Sequence, residues 1–150
     1  MLTNFFGKSN PINFFLICTS VLLGYLSWVF QNQEEPFQLQ NFLTKALLIL
    51  LSLFLILLLD FITRKNKLTA LNTYSIFIFG CLLLMIPHHI LNENIILSNF
   101  FLLLAFRRIH SIQSDRNLNK KIFDSAIWIM VAFLFYYWSI LFFIALFVSI

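Results

Sequence analysis

Charge is what this chain has least of: Asp, Glu, Lys and Arg make up 11% of its 150 residues, against 61% hydrophobic. Soluble domains carry about 25% charged residues, so a water-facing globular surface is excluded and lipid is the expected solvent. Glycine is scarce too, at 3 residues, and no phosphate-cradling glycine loop can be built from them. Cysteine occurs twice, as Cys18 and Cys81. Their expected depths in a membrane differ by roughly 10 Å at 1.5 Å rise per residue, which argues against a disulfide. Lacking metal-ligand spacing, both read as small buried apolar residues. No serine or cysteine stands near a plausible base, as a nucleophile would require.

What is there is a set of apolar runs. A spanning helix needs about 20 such residues, with roughly 17–25 tolerated, and the runs at 12–30, 42–63, 69–87, 90–106 and 122–138 approach or meet that length. None alternates with the period of two that a membrane barrel strand shows, and lipid offers the backbone no hydrogen-bond partner. The predicted class is therefore all-α: a polytopic transmembrane helix bundle in one domain over 1–150, with about five spans. The last stretch, 122–150, runs 29 residues with Asp124 as its only charge. As one helix it would be about 43 Å long against a core of about 30 Å. Either one steeply tilted helix projects beyond the membrane or, the favoured expectation, the chain turns near Tyr137 to Ser139 and 139–150 begins a sixth span, in which case the chain reads as the N-terminal part of a longer protein. The first span, with its basic start and no small-residue cleavage site after Phe30, reads as an uncleaved signal anchor.

The basic residues set the orientation. Lys8 precedes the first run, Arg64, Lys65 and Lys67 follow the second, and Arg107, Arg108, Arg116, Lys120 and Lys121 lie between the fourth and fifth. The alternate connections carry Glu34, Glu35, His88, His89 and Glu93 instead. Cytoplasmic loops keep an excess of Lys and Arg, so the expected location is a bacterial inner membrane with the N-terminus cytoplasmic. Trp28 and Phe30, then Tyr136, Tyr137 and Trp138, fall where outer aromatic belts belong. The net charge of +4 sits in short boundary loops, which anionic headgroups explain; no nucleic-acid partner is expected. The many Phe, Leu, Ile and Asn residues are read as the mark of an A+T-rich bacterial genome.

Chemistry-bearing residues are few. Asp60, Arg107, Arg108, Lys121 and Asp124 share the expected cytoplasmic depth and form a candidate site for an anionic headgroup or phosphate. Arginine's planar fork suits such a ligand. The competing reading is an ordinary i,i+4 pair of Asp60 with Arg64 and snorkelling boundary charges. On the outer side His88, Asn92 and Asn99, spaced i, i+4, i+11, predict a polar stripe on one helix face that packs against neighbouring helices. His89 and Glu93 supply only half of a metal site. Ser20 and Gly24 form a small-xxx-small pair suited to a helix contact. Lys45 reads as a snorkelling side chain, and no cofactor is implied.

Two stretches carry a family resemblance: Met1-Leu2-Thr3-Asn4-Phe5-Phe6 with Lys8 and Pro11-Ile12-Asn13, and Arg107-Arg108-Ile109-His110-Ser111 followed by Lys121-Ile122-Phe123-Asp124. With them the chain resembles an uncharacterised family of multi-pass inner-membrane proteins from Bacteroidota, a domain of unknown function whose members are longer. The resemblance implies that Arg107, Arg108, Lys121 and Asp124 belong to a recurring cytoplasmic hairpin, and it brings no established activity. Some members carry a carotene-oxygenase label. The histidines argue against it here, because His110 is expected inside and His88 and His89 outside, too far apart to share a metal.

Three functions follow as expectations. The first is a non-enzymatic transport or envelope-assembly component whose partners are membrane lipids. The second is a helix-packing or anchoring subunit of a membrane complex. The third is a membrane enzyme acting on a lipid-linked substrate, whose remaining polar residues would lie in a further C-terminal half.

Overall fold

Unbroken apolar runs leave the backbone to satisfy its own hydrogen bonds. In the computed structural model it does so with helices: α1 (Pro11–Gln31), α2 (Leu39–Lys65), α3 (Tyr74–Met85), α4 (Glu93–Ser111), α5 (Leu118–Phe135), a 3-10 segment (Tyr137–Leu141) and α6 (Phe142–Ser149). The structure describes residues 6, 10–31, 39–66, 68, 72–85, 92–112 and 117–149, and among them there is no strand. The all-α class is as the sequence predicts. Two helices, Pro11–Gln31 and Asn41–Lys65, are long and apolar enough to cross a membrane.

The other expected spans differ in extent. The helix within 69–87 has 12 described residues, about 18 Å; residues 69–71 and 86–91 lie outside the described set. α4 runs five residues past 106 and takes Arg107 and Arg108 into its last turns, while α5 begins at Leu118 and takes in Lys120, Lys121 and Asp124. Arg107, Arg108, Lys120 and Lys121, expected between the runs, are thus helical, which lowers the apolar content of both helices. α5 also stops at Phe135 and not at 138. Packing groups the chain into two compact units, Met1–Leu91 and Asn92–Ile150.

In the first unit, α1 buries Asn13, Ile17, Val21, Tyr25 and Val29, every fourth residue. This is the ridge that helices use to pack into one another's grooves. Its partner is α3. Asn13 Nδ2 donates to Thr73 Oγ1 at 3.3 Å, and Tyr25 Oη donates to the Leu83 carbonyl at 3.4 Å. The contacts rise together in number, so α1 and α3 run parallel. Close approach is made by glycines: a Cβ on Gly80 would stand 2.7 Å from Ile17 Cγ2, and one on Gly24 would stand 2.3 Å from Leu84 Cδ2. Ser20, expected to share this role with Gly24, is exposed and donates to its own helix at Ile17 O, 2.8 Å away. Thr73 also ties down Phe6, whose carbonyl accepts from both the Thr73 amide and its hydroxyl at 3.0 Å, while the Phe6 ring lies on Phe77.

In the second unit α4 and α5 form an antiparallel hairpin. Phe101 of α4 lies between Trp128 and Phe135 of α5, stacked on both with centroids 5.8 and 5.6 Å away. At Tyr136 the chain leaves the helix in an extended conformation (φ −145°, ψ 113°). It then turns through the 3-10 segment, where Ser139 is buried against Ser98 with the hydroxyl oxygens 2.5 Å apart. From there α6 runs back beside α4, seating Leu146 in a core of Ala105, Ile109 and Ile129. Outward faces of both units remain apolar: Phe15, Phe30 and Leu50 are each about 70% exposed in one, Leu134 and Phe147 more than 70% in the other.

Candidate headgroup site

Asn92 caps the start of α4 by accepting from the Asn94 amide at 3.1 Å, with Glu93 following in the first turn. An acidic residue there complements the partial positive charge of a helix N-terminus. At the other end α4 closes with Ile112, whose amide bonds back to Ile109 O. α5 starts after Asn117, which has φ 59°, a left-handed conformation that asparagine tolerates better than most residues. These two ends bring the basic residues of the hairpin together.

Arg108 Nη2 lies 3.0 Å from Asp124 Oδ2, with side chains 48% and 38% exposed. A half-exposed pair of this kind contributes about 0–1 kcal/mol, so its main effect is to aim the two groups. Lys121 donates from Nζ to the Ser111 carbonyl, the terminal carbonyl of α4, where a cation offsets the partial negative charge of the helix end. Ser111 Oγ in turn donates to Arg108 O at 2.7 Å. Arg107 and Lys120 are exposed beside them. The facing ends of the two helices therefore carry Arg107, Arg108, Lys120 and Lys121, and of these Arg108 is paired with Asp124. The His110 ring stands edge-on to Phe106 at 4.3 Å, and burial pushes its pKa below the ordinary value, favouring the neutral imidazole.

Of the residues expected to gather at one depth, the structure brings together Arg108, Lys121 and Asp124, with Arg107 adjacent. Asp60 belongs to the Met1–Leu91 unit, where its Oδ1 accepts from Arg64 Nε at 2.7 Å as an i,i+4 pair. The pair lines a groove of about 280 Å³ with Pro11 and Phe14 of α1 and Leu57 of α2.

The expected polar stripe is interrupted at the cap. Asn92 has an extended backbone (φ −86°, ψ 112°), so a helical face drawn through Asn99 stops at Glu93. Asn99 is half-buried on α4, and His88 and His89 lie outside the described residues. So do Lys8, Glu34, Glu35, Lys67 and Arg116. Among the described residues no cluster of three His, Cys, Asp or Glu side chains could hold a metal ion, and Cys18 and Cys81 are free thiols.

Sequence reasoning missed three features. Lys121 as the cap of α4 comes from the next helix, 10 residues beyond Ser111, so it needed the loop geometry. The Ser98–Ser139 bridge and the groove at Asp60 depend on which helices touch. Compared with protein-family models, with curated proteins and with solved structures, the chain matches none.

Proposed function

We propose that the chain is a multi-pass protein of a bacterial inner membrane, N-terminus cytoplasmic, whose α4–α5 hairpin engages anionic lipid headgroups as part of a non-enzymatic transport or envelope-assembly component. The observation that carries this reading is the charge arrangement of the hairpin, four cationic side chains at the facing ends of α4 and α5, with Arg108 paired to the partly exposed Asp124, at one end of an apolar helix pair. About 27 Å away along α5, at 1.5 Å per residue, its other end carries the exposed Tyr136, Tyr137 and Trp138. Basic residues at one end and aromatic residues at the other are the pattern of the two bilayer interfaces. Outward Leu and Phe side chains at 70% exposure and above are supported by lipid and disfavoured in water. The five spans near 12–30, 42–63, 69–87, 90–106 and 122–138, and kinship with the Bacteroidota family named above, are part of the same proposal.

The test joins topology to lipid binding. On a Cys18→Ser, Cys81→Ser background, single cysteines at Gln33, Asn66 and Ser114 are labelled from outside intact cells, and the purified chain is assayed for retained lipid. Labelling only at Gln33 is expected, together with enrichment of phosphatidylglycerol that falls about fivefold for each basic residue lost in Arg107→Gln and Arg108→Gln. Labelling at Ser114, or unchanged enrichment in the double variant, overturns the reading.

One observation favours the anchoring subunit as a second reading: Leu43, Leu47, Leu50, Phe54 and Leu57 of α2 are all outward, a face that suits a partner helix as well as lipid. A stoichiometric partner that co-purifies in mild detergent and is lost when this face is changed to alanine would favour it.

A further inference from the structure

The groove between α1 and α2 differs in kind from the hairpin. Its walls are apolar, from Pro11, Phe14 and Leu57, and its polar part is a matched pair, Asp60 and Arg64, joined at 2.7 Å. The pair is partly open, with side-chain exposures of 20% for Asp60 and 44% for Arg64. At about 280 Å³ the groove is at the lower edge of the roughly 300–1,000 Å³ typical of small-molecule sites, enough for a headgroup and too little for a large cofactor. α1 begins where α2 ends, so the groove opens at one end of the antiparallel pair, where the charged residues lie.

A lone anion is a poor occupant. It would approach Arg64 against the like charge of Asp60, which already holds the guanidinium. A lone cation meets the mirror problem at Arg64. A ligand with both charges suits the pair: its phosphate meets the guanidinium fork, which can serve two anions through different nitrogens, and its ammonium meets the carboxylate, which has a second oxygen besides the Oδ1 taken by Arg64. The apolar walls then favour a ligand with hydrocarbon attached. A primary ammonium donates three hydrogen bonds, whereas a trimethylated one donates none. We infer that this groove seats the headgroup of an aminophospholipid of the phosphatidylethanolamine type, phosphate on Arg64 and ammonium on Asp60, with the acyl region against Phe14 and Leu57. The inference rests on the membrane reading above and is separate from the hairpin's anion preference.

The full chain is reconstituted in nanodiscs of mixed phosphatidylethanolamine, phosphatidylcholine and phosphatidylglycerol, released into mild detergent, and its retained lipids are counted by native mass spectrometry. Phosphatidylethanolamine is expected to be retained about fivefold over phosphatidylcholine, the worth of one charge-assisted hydrogen bond at a partly open site. Asp60→Asn should bring the two to parity, and Arg64→Gln should lower both. Leu57→Trp, which fills the groove and leaves the ion pair in place, should abolish the preference with helicity unchanged, covering the case in which a charge variant fails to fold. Retention of phosphatidylglycerol in place of phosphatidylethanolamine, rising in Asp60→Asn, would overturn the inference in favour of a plain anion site. So would competition by free phosphoethanolamine at equal concentration, or a preference untouched by all three variants. Phosphatidylglycerol retention that responds to Arg107→Gln and Arg108→Gln reads the hairpin separately, and a chain that does not enter nanodiscs removes the membrane reading before any lipid is counted.

Discussion

Replacing Gly80 by alanine tests the α1–α3 packing at its tightest point. The added Cβ would stand 2.7 Å from Ile17 Cγ2 and 3.6 Å from Val21 Cγ2. Ile17 is buried at 3% exposure, and a β-branched side chain in a helix has one strongly preferred χ1 rotamer, so Cγ2 cannot swing away and the helices must separate. Overpacking of this kind costs about 1–3 kcal/mol, and alanine recovers about 1 kcal/mol of helix propensity over glycine. A net loss of about 1 kcal/mol follows, read as a fall of about 2–4 °C in Tm for a chain of this size. Gly24→Ala is the control. Its Cβ meets only Leu84 Cδ2, at 2.3 Å, with Cγ already 3.8 Å away. That methyl moves by rotation about χ2, so Gly24→Ala should be neutral or slightly stabilising although its nominal clash is the shorter one. Ile17→Leu moves the branch from Cβ to Cγ and should rescue Gly80→Ala, with a coupling energy of about 1 kcal/mol. Thermal unfolding in one mild detergent, followed by helicity, compares wild type, the three single variants and the Gly80→Ala, Ile17→Leu double variant. A Gly80→Ala protein as stable as wild type, or one that Ile17→Leu does not improve, would refute the packing argument.

Two further outcomes follow from the second unit. Ser98→Ala or Ser139→Ala should each lower stability by roughly 0.6–1.7 kcal/mol, the range for hydrogen bonds between membrane helices. The double variant should be closer to wild type than the sum of the singles, because no buried hydroxyl is left unpaired; additive losses in a double-mutant cycle would show that the 2.5 Å contact does not couple them. His110, whose pKa burial lowers, should make the unit less stable in acid. The unfolded chain takes up the proton near pH 6.5 and the folded chain only below that, so the contribution is full above about pH 6.5 and declines as the pH falls through it. His110→Gln should flatten that part of the Tm-against-pH curve, and an unchanged curve would remove His110 as the cause.

The helices were legible in the sequence to different degrees. α1 and α2 were placed within a few residues of their ends, because a long apolar run admits no other backbone solution. The break before Tyr137 was legible only as a length problem, since no Gly or Pro marks it. Its position at Tyr136 goes with a buried Ser139 that finds Ser98, 41 residues earlier. Asn92 was read as part of a polar face and is the cap of α4, although Asn before Glu is a recognisable start signal. At the site, the Arg108–Asp124 pairing followed from the hairpin, and Asp60 with Arg64 from simple i,i+4 spacing. Lys121 on the Ser111 carbonyl needed the loop geometry.

Composition and periodicity are local properties, so the sequence by itself determined the all-α class, the two long apolar helices and the clustering of basic residues between the fourth and fifth runs. Contacts between helices depend on shape complementarity over distances that no spacing rule encodes. Only the tertiary structure decided that Gly80 lies against Ile17, that Phe101 enters between Trp128 and Phe135, that α6 returns along α4, and that Pro11 and Phe14 wall the groove beside Asp60. Each of these turns on a few ångströms of side-chain volume, which a run of Leu, Ile and Phe leaves unspecified until the helices meet.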